Sequence, residues 1–264
     1  ISLSKKFKSK FNKKINFITT KVNFDYLNRK TKYLISLFLL FRELLGNKNK
    51  VVFSFQANIY CIMLCKLLNT KVIVRSNSSP SGWTTNKIKN LIFSKLLVKS
   101  NDIIVNSKKF KTELDSKFKT NSIVILNPLD KKNIIVKSKK KINFSFFENK
   151  NELKIINIAR FTDQKDHMTL LKAFNLISKK IDTKLLIIGY GPNIVKMKRY
   201  IKLNNLNTKV KIKNYILNPY PYIKKSDLFI LSSLYEGLPN VLLESMTLKK
   251  FIISSSCPTG PDEI

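Results

Sequence analysis

Residues 226–246 read Ser226-Asp-Leu-Phe-Ile-Leu-Ser-Ser-Leu-Tyr-Glu-Gly-Leu-Pro-Asn-Val-Leu-Leu-Glu-Ser-Met246. The apolar run Leu228–Leu231 predicts a buried strand, and the Gly and Pro in the loop after it interrupt regular structure. A helix is expected to begin at about Asn240. A buried strand, a short loop and a helix in this order indicate a repeating unit of a parallel α/β sheet.

The same alternation of short β-branched runs and helical stretches continues along the chain. A helical pattern covers His167–Lys180, for example, where Leu170, Leu171, Phe174 and Ile177 fall on one face. Alternating strands and helices predict right-handed βαβ units, and therefore an α/β fold with parallel sheets. The predicted strands are Ile15–Thr19, Val51–Phe55, Lys71–Arg75, Asp102–Asn106, Ser122–Leu126, Lys154–Ala159, Lys184–Gly189, Lys209–Lys213, Asp227–Ser232 and Phe251–Ser255.

A polar segment divides the chain into two α/β parts. Residues 130–151 are rich in Lys and Asn and show no sustained period, and Asn127-Pro128 closes the first part because proline cannot continue a central strand. We therefore expect an N-terminal Rossmann-like domain over residues 1–130, a linker over residues 131–151 and a C-terminal Rossmann-like domain over residues 152–264. Two such domains would enclose a cleft, and ligands of these folds lie at the carboxyl ends of the strands.

The charge of the chain leaves two interpretations open. Lys and Arg number 50 and Asp and Glu 16, which gives a formal net charge of +34. Such a charge is typical of proteins that bind nucleic acid or an anionic membrane surface. Most of the excess is Lys, spread over every segment among many Asn and Ile residues, and a coding bias toward A/T-rich codons explains this equally well. The charge is the only feature that favours a nucleic-acid-binding protein, since the sequence contains no recognition motif and no basic-aromatic repeat.

The cysteines and the single histidine indicate neither a disulfide framework nor a metal site. Cys61 and Cys65 are four residues apart in an apolar stretch, so we expect buried thiols on one helix face, and Cys257 is remote from both. His167 has no neighbouring cluster of metal ligands, and a reducing, cytoplasmic compartment is expected. The apolar run Leu37–Phe41 is too short to span a bilayer.

The two ends of the chain carry further expectations. The Lys-rich opening has no secretory signal. Because the chain starts at Ile1 and stops in the middle of a loop pattern, Pro-Asp-Glu-Ile264, it is expected to be truncated at both ends, so that both domains are incomplete.

Two carboxylates in the segment 226–246 suggest a binding site. The end of the strand delivers Glu236 into the cleft, Gly237 lets a ligand approach the backbone, and the helix after it offers N–H groups and a positive dipole end to a diphosphate. Glu244 lies one turn inside that helix, so the two carboxylates can accept hydrogen bonds from two sets of hydroxyls on one elongated ligand. Taken alone, the same residues are also explained as a turn-capping glutamate and a solvated helix residue.

The whole segment resembles the Glu-x7-Glu motif of glycosyltransferase family 4, a retaining family with the GT-B fold of two Rossmann-like domains facing a cleft. Residues 157–174 are similar to the strand, loop and helix that open the family's second domain, and they contain Arg160 and Lys165. The resemblance covers about residues 50–264 and is strongest from Leu153. The first strand and the Gly-rich loop of the family are missing, as are its last strands and C-terminal helices. Similar loops occur at Asn127–Asp130, Leu185–Pro192 and Ser256–Ile264.

The resemblance implies a function and a set of roles. The implied reaction is transfer of a hexose-type sugar, with retention, from a nucleotide diphosphate sugar to a saccharide or lipid-linked acceptor in cell-envelope polysaccharide synthesis. Glu236 would orient the sugar hydroxyls and Glu244 the ribose, while Arg160 and Lys165 would stabilise the leaving diphosphate without a metal or other cofactor. The implied donor-binding residues are Gly237, Leu238, Pro239, Asn240, Val241 and Glu244.

Other parts of the chain leave the family pattern or admit other functions. The loop after the predicted strand Lys71–Arg75 lacks the His that many members carry there. Two interpretations stay open for the residues Arg75, Ser76 and Asn77 in this loop. Either they contact the donor or the acceptor, or they belong to an ordinary polar loop. A basic, apolar first domain is expected at the inner face of a membrane as a peripheral contact. The alternatives are a non-catalytic sugar-nucleotide binder and a basic nucleic-acid-binding protein, and no specific nucleic acid is expected as a partner.

Overall fold

The computed structural model describes residues 14–16, 18, 20, 27–46, 49–77, 80, 83 and 86–264. The chain forms two compact units. The first unit contains the chain up to Ser76 and residues 84–105 and 111–124. The second unit contains residues 125–264 together with two short segments, 77–83 and 106–110, that follow strands of the first unit.

The first unit contains a four-stranded parallel sheet in the order β1-β2-β3-β4. Four of the five strands predicted in this part are confirmed. Lys71–Arg75 matches the structure, Val51–Phe55 and Asp102–Asn106 end one residue earlier, and Ser122–Leu126 is shorter at both ends. In the predicted strand Ile15–Thr19, residues 15, 16 and 18 are not in a strand, and residues 17 and 19 lie outside the described residues. The strands are β1 (Val51–Ser54), β2 (Lys71–Arg75), β3 (Asp102–Val105) and β4 (Ile123–Val124), and the helices are α1 (Arg29–Leu45), α2 (Asn58–Leu67), α3 (Lys87–Leu97) and α4 (Lys108–Phe118).

Helix α2 carries the two neighbouring cysteines. Cys61, Ile62 and Cys65 are buried on its inner face, as the spacing predicts. Burial raises the pKa of the Cys65 thiol to about 11, so this thiol stays protonated at neutral pH. The two residues therefore act as small apolar side chains in the core of the first unit.

The second unit contains a five-stranded parallel sheet in the order β7-β6-β5-β8-β9. All five strands predicted for this part of the chain are confirmed, with ends that differ by one residue. The strands are β5 (Leu153–Ile158), β6 (Thr183–Ile188), β7 (Val210–Lys213), β8 (Leu228–Leu231) and β9 (Phe251–Ser254), and the helices are α5 (Lys131–Ser138), α6 (His167–Ile177), α7 (Ile194–Leu203), α8 (Tyr220–Lys225) and α9 (Asn240–Thr247).

Apolar side chains cover both faces of this sheet. Ile155 and Leu185 point to one face, where Phe174 of α6 packs on them. Ile156 and Leu186 point to the other face and pack with residues of α8 and α9. Strands that are buried on both faces are expected to be continuous apolar runs, and this is the pattern that the sequence shows.

Residues 131–151, which we expected to form a linker, are folded into the second unit. They contain helix α5 and a 3-10 turn over Ser145–Phe147. Phe144 and Phe147 are buried in the core beside the sheet, and the Phe144 ring meets the Tyr222 ring edge-on at 5.0 Å. The segment is polar in overall composition, but its few aromatic residues bury enough apolar surface to fold it against the sheet.

No helix in the described part of the chain is long and apolar enough to cross a membrane.

Candidate functional site

The strand order of the second unit creates an opening beside the ends of β5 and β8. These two strands are parallel neighbours, with Ile155 opposite Leu228 and Ile156 opposite Phe229. The chain leaves β5 toward β6 and leaves β8 toward β9, on opposite sides of the sheet. In open α/β sheets the loops separate at this reversal, and ligands bind at the carboxyl ends of the strands there. The loops after β5 and β8 carry Arg160, Lys165 and Glu236.

A buried ion pair joins the two loops. The Lys165 ammonium contacts the Glu236 carboxylate, and the Ser233 hydroxyl donates a hydrogen bond of 2.6 Å to the same oxygen, Oε1. The Glu236 side chain is 7% exposed and the Lys165 side chain 14%. A buried carboxylate with a buried cation beside it differs from a turn-capping glutamate at the surface, because each charge depends on the other for its stability.

Glutamine 164 fixes the spacing of the two loops. The Gln164 side-chain amide donates to the Tyr235 carbonyl at 2.8 Å, and the Gln164 carbonyl accepts from the Leu234 amide at 2.8 Å. The Gln164 side-chain oxygen also accepts from Arg160 Nη2 at 3.3 Å, which holds the exposed guanidinium beside the ion pair. Ser232 adds a bond of 2.9 Å to the Lys165 carbonyl.

The structure therefore brings Arg160, Lys165 and Glu236 together at the ends of adjacent strands. The sequence predicted no role for Gln164, Ser232 or Ser233. Ser232 and Ser233 directly follow strand β8, and that position is a signal that points to them, whereas Gln164 lies in a 3-10 turn six residues after β5 and carries no such signal. Their hydrogen bonds depend on which strands are neighbours, and the linear sequence does not state this.

Gly237 lies where backbone segments meet. A side-chain carbon added at this position would lie 2.3 Å from the Asn77 carbonyl oxygen and 3.0 Å from the Asn106 side-chain oxygen, and all three residues belong to the second unit. On the other side, a carbon added at Gly260 would lie 1.5 Å from the Gly237 carbonyl. Crowding of the backbone is thus a reason for glycine here, in addition to the predicted close approach of a ligand.

Helix α9 begins directly after this loop. Its N-cap residue, Pro239, makes no side-chain hydrogen bond to the first turn. The Asn127 amide donates to the Leu238 carbonyl at 3.2 Å and to the Asn240 side-chain oxygen at 2.6 Å, and so holds the entry to the helix. Asn240 and Val241 open the helix, whose N-terminal dipole end is suited to a negatively charged group.

Glu244 is partly buried inside α9. The Tyr220 hydroxyl of α8 donates to Glu244 Oε1 at 3.4 Å. Burial raises the pKa of the Glu244 carboxyl above its usual value. The pKa of Tyr220 rises to about 12, through its own burial and the charge of Glu244. The interpretation of Glu244 as a solvated helix residue is therefore wrong.

The three residues considered at the end of β2 take different places. Ser76 is buried in the first unit, where its amide donates to the Ile104 carbonyl at 2.9 Å. The Asn58 side chain donates to the Arg75 carbonyl at 3.0 Å and fixes the same turn. Asn77 is counted with the second unit, where its backbone carbonyl packs against Gly237.

His167 is a buried residue at the start of α6. It is 2% exposed, and neither ring nitrogen has a hydrogen-bond partner among the described residues. Its ring meets the Phe161 ring edge-on at 5.2 Å. Burial, followed by the charge of Lys165, lowers the pKa of His167 to about 4, so the imidazole is neutral at neutral pH. The described residues include no group of three His, Cys, Asp or Glu side chains arranged to hold a metal ion.

Comparisons with known proteins give matches to glycosyltransferases. The family model described as Glycosyl transferases group 1 matches residues 138–264. An uncharacterized glycosyltransferase of Methanocaldococcus jannaschii is 38% identical over 116 residues, which is 44% of this chain and 29% of that protein. A Campylobacter jejuni protein is 27% identical over 229 residues, 83% of this chain and 60% of that protein. Its name is N-acetylgalactosamine-N,N'-diacetylbacillosaminyl-diphospho-undecaprenol 4-alpha-N-acetylgalactosaminyltransferase.

The fold is shared with solved glycosyltransferase structures. HepE of Anabaena, solved in complex with UDP-glucose, superposes with a TM-score of 0.70 at 14% identity, over 86% of this chain and 64% of that chain. The chain thus spans less than two thirds of the length of each of these three proteins. The fold is of the GT-B type, and residues 138–264 match the family model of group 1 glycosyl transferases.

Proposed function

We propose that the protein transfers a sugar from a nucleotide diphosphate sugar to a saccharide or lipid-linked acceptor, with retention of configuration at the anomeric carbon. The observation that carries this proposal is the cluster of Lys165, Glu236 and Ser233 at the strand reversal of the second unit. A structural ion pair can form anywhere in a sheet. This one lies at the edge where open α/β sheets bind ligands, directly before the exposed start of a helix.

The donor diphosphate is assigned to the positive groups of this edge. The exposed Arg160 guanidinium offers a planar fork to phosphate oxygens, and Lys165 offers a point charge. The amides of Asn240 and Val241 at the start of α9 add hydrogen-bond donors next to Leu238 and Pro239. These groups stabilise the negative charge that develops on the leaving diphosphate, so the proposed reaction needs neither a metal ion nor another cofactor.

The two glutamates are assigned to opposite ends of the donor. Glu236 precedes Gly237 in the loop, and its carboxylate is held by Lys165 and Ser233, so it is positioned to accept hydrogen bonds from the sugar hydroxyls. Glu244 lies further along α9 beside Tyr220 and is assigned to the ribose hydroxyls. Two fixed acceptors on one loop and helix suit a ligand that carries hydroxyls at both ends of a diphosphate.

The names of the relatives support the acceptor class and the pathway. The Campylobacter protein is named for an acceptor on diphospho-undecaprenol, a lipid-linked saccharide. A Staphylococcus aureus relative, 31% identical over 112 residues, is named for capsular polysaccharide biosynthesis. We therefore propose a role in cell-envelope polysaccharide synthesis at the cytoplasmic side of a membrane, with a uridine nucleotide as the first donor to test, since HepE was solved with UDP-glucose.

The two carboxylates give the test of this function. Glu236→Gln should reduce the rate of sugar transfer while it leaves binding of the free nucleoside diphosphate nearly unchanged, because that ligand has no sugar. Glu244→Gln should weaken binding of the free nucleoside diphosphate by about ten- to a hundredfold, as expected for the loss of one hydrogen bond to a charged group. Calorimetric titration with nucleoside diphosphates and a transfer assay on a lipid-linked acceptor measure the two effects.

Other results would contradict the assignment. If Glu236→Gln abolished binding of the bare nucleotide while Glu244→Gln left it unchanged, the two roles would be wrong. If the parent protein bound nucleotide sugars without transferring them, it would be a non-catalytic binder. Nuclear magnetic resonance of the product reports the anomeric configuration, and inversion would exclude the retaining mechanism.

A further inference from the structure

Two helices of the first unit leave an apolar groove between them. It has a volume of about 530 Å³ and lies between α1 and α2. On α2 the lining residues Tyr60, Met63, Leu64 and Leu67 recur at the spacing of one helix face. From α1 the groove is lined by Leu37, Phe38 and Phe41.

The side chains at the rim of this groove are unusually exposed for large apolar residues. Leu67 is 80% exposed and Phe38 61%, and Tyr60 and Met63 are each more than half exposed. Single exposed apolar residues are common, but a cluster on two neighbouring helices marks a surface that contacts another body. The structure thus presents an apolar surface of α1 and α2, which we call the α1–α2 groove.

The charge around the groove indicates the chemistry of that body. Residues 27–100, which include α1, α2 and α3, contain thirteen Lys and Arg and a single acidic residue, a net charge of +12. The one carboxylate, Glu43, is already paired with Lys50. Lys66 comes directly before Leu67, and Arg42 directly after Phe41.

We propose that the α1–α2 groove is a docking surface for an anionic phospholipid bilayer. Amphipathic helices bind bilayers by burying apolar side chains at the boundary of headgroups and acyl chains, while basic residues contact anionic headgroups. A second copy of this chain is the weaker occupant, since it would bring two segments of net charge +12 close together. Nucleic acid would satisfy the charge but would leave Phe38, Met63 and Leu67 without apolar contacts.

The chain contains its own matched control for the apolar part of this proposal. Helices α2 and α7 are both ten residues long and both end in Lys-Leu, at Leu67 and Leu203. These two leucines are 80% and 72% exposed, so replacing either one leaves the core intact. In sedimentation with vesicles of phosphatidylcholine and phosphatidylglycerol, Leu67→Glu should weaken binding by about tenfold or more, and Leu203→Glu by much less.

The lysines that precede these two leucines allow the effect of charge at the groove to be distinguished from the effect of the protein's total charge. Lys66→Glu and Lys202→Glu change the net charge of the protein by the same amount. A basic residue beside an anionic leaflet is worth about 1 kcal/mol, or about fivefold in affinity, so charge reversal at Lys66 should cost about twentyfold or more. Lys202→Glu should change binding only slightly, and the difference should shrink as salt increases.

Three results would overturn the proposal. Equal losses for Leu67→Glu and Leu203→Glu would show that the charge of the whole protein binds the vesicles without a preferred surface. Unchanged binding of Leu67→Glu, with folding confirmed by circular dichroism, would exclude the groove directly. A dimer on gel filtration that Leu67→Glu converts to a monomer would assign the groove to a second copy. The assay contains no sugar donor, so its failure leaves the proposed reaction untouched.

Discussion

We assign both Arg160 and Lys165 to the donor diphosphate, but their surroundings in the structure differ. The Arg160 side chain is exposed and, among the described residues, bonds only to Gln164, whereas Lys165 neutralises a buried carboxylate. Both substitutions to Ala should weaken nucleoside diphosphate binding by about ten- to a hundredfold. Lys165→Ala should also lower the free energy of unfolding by about 3 kcal/mol, because Glu236 is left buried and unpaired. Arg160→Ala should change it by less than about 0.5 kcal/mol.

Titration calorimetry and urea unfolding measure these two effects in the same variants. Arg160→Ala serves as the internal control, because it removes a positive charge from the same edge without removing a buried partner. Unchanged nucleotide affinity in both variants would rule out the diphosphate assignment. Unchanged stability of Lys165→Ala would show that Glu236 does not need its partner.

Gly237 gives a prediction about backbone packing at the same site. The added carbon in Gly237→Ala would lie 2.3 Å from the Asn77 carbonyl oxygen, so backbone must move. We expect a loss of about 1–3 kcal/mol in the free energy of unfolding. Gly46, at the end of α1, has no atom within 4 Å of the same position and a φ of −79°, so Gly46→Ala should be neutral or slightly stabilising. Equal thermal midpoints for the two variants would contradict the packing shown here.

At the scale of elements, a buried histidine at the start of helix α6 makes the stability of the fold depend on pH. His167 lies two residues after Lys165 and is buried without a hydrogen bond to its ring among the described residues. The pKa of His167 is about 4 in the folded protein and about 6.5 in an unfolded chain. Because the folded-state pKa is the lower one, the unfolded chain takes up the proton first as the pH falls. The contribution of neutral His167 is therefore complete above about pH 6.5 and is lost between about pH 6.5 and 4.

The size of this effect follows from the same shift. Between pH 7 and pH 5 the parent protein should lose about 2 kcal/mol in the free energy of unfolding through His167, at about 1.4 kcal/mol per pH unit once the unfolded chain is protonated. His167→Leu has no imidazole to protonate, so its free energy of unfolding should fall by about 2 kcal/mol less than that of the parent protein over the same pH range. Urea midpoints of both proteins at the two pH values test this. Parallel changes would show that other groups, such as Glu244, account for the pH dependence.

At the scale of the whole molecule, the net charge of +34 predicts attraction to any polyanion. We expect the protein to bind unrelated DNA duplexes with equal affinity, and to lose that affinity steeply with salt. Release of counterions from six or more phosphates costs about a thousandfold between 50 and 200 mM salt. Fluorescence anisotropy with two duplexes of different sequence measures both properties. A preference for one sequence that survives at the higher salt concentration would restore the nucleic-acid-binding alternative.

Local pattern predicted most of the elements. All five strands in the second unit lie within one residue of their predicted ends, because short apolar runs bounded by turn residues favour buried strands. The pattern failed over residues 131–151, where Lys and Asn outnumber the few aromatic residues. Phe144 and Phe147 are buried there because one face of the sheet, with residues of α8 and α9, offers them an apolar surface.

The sequence by itself determined that this chain forms parallel α/β sheets, that Glu236 follows a buried strand and that Cys61 and Cys65 face a core. These properties depend on residues close together in the chain. Only the tertiary structure decided that β5 lies beside β8, and hence that Lys165 pairs with Glu236, 71 residues away, and Tyr220 with Glu244. The choice of neighbouring strands depends on which arrangement buries both faces of the whole sheet, and no local period encodes that choice.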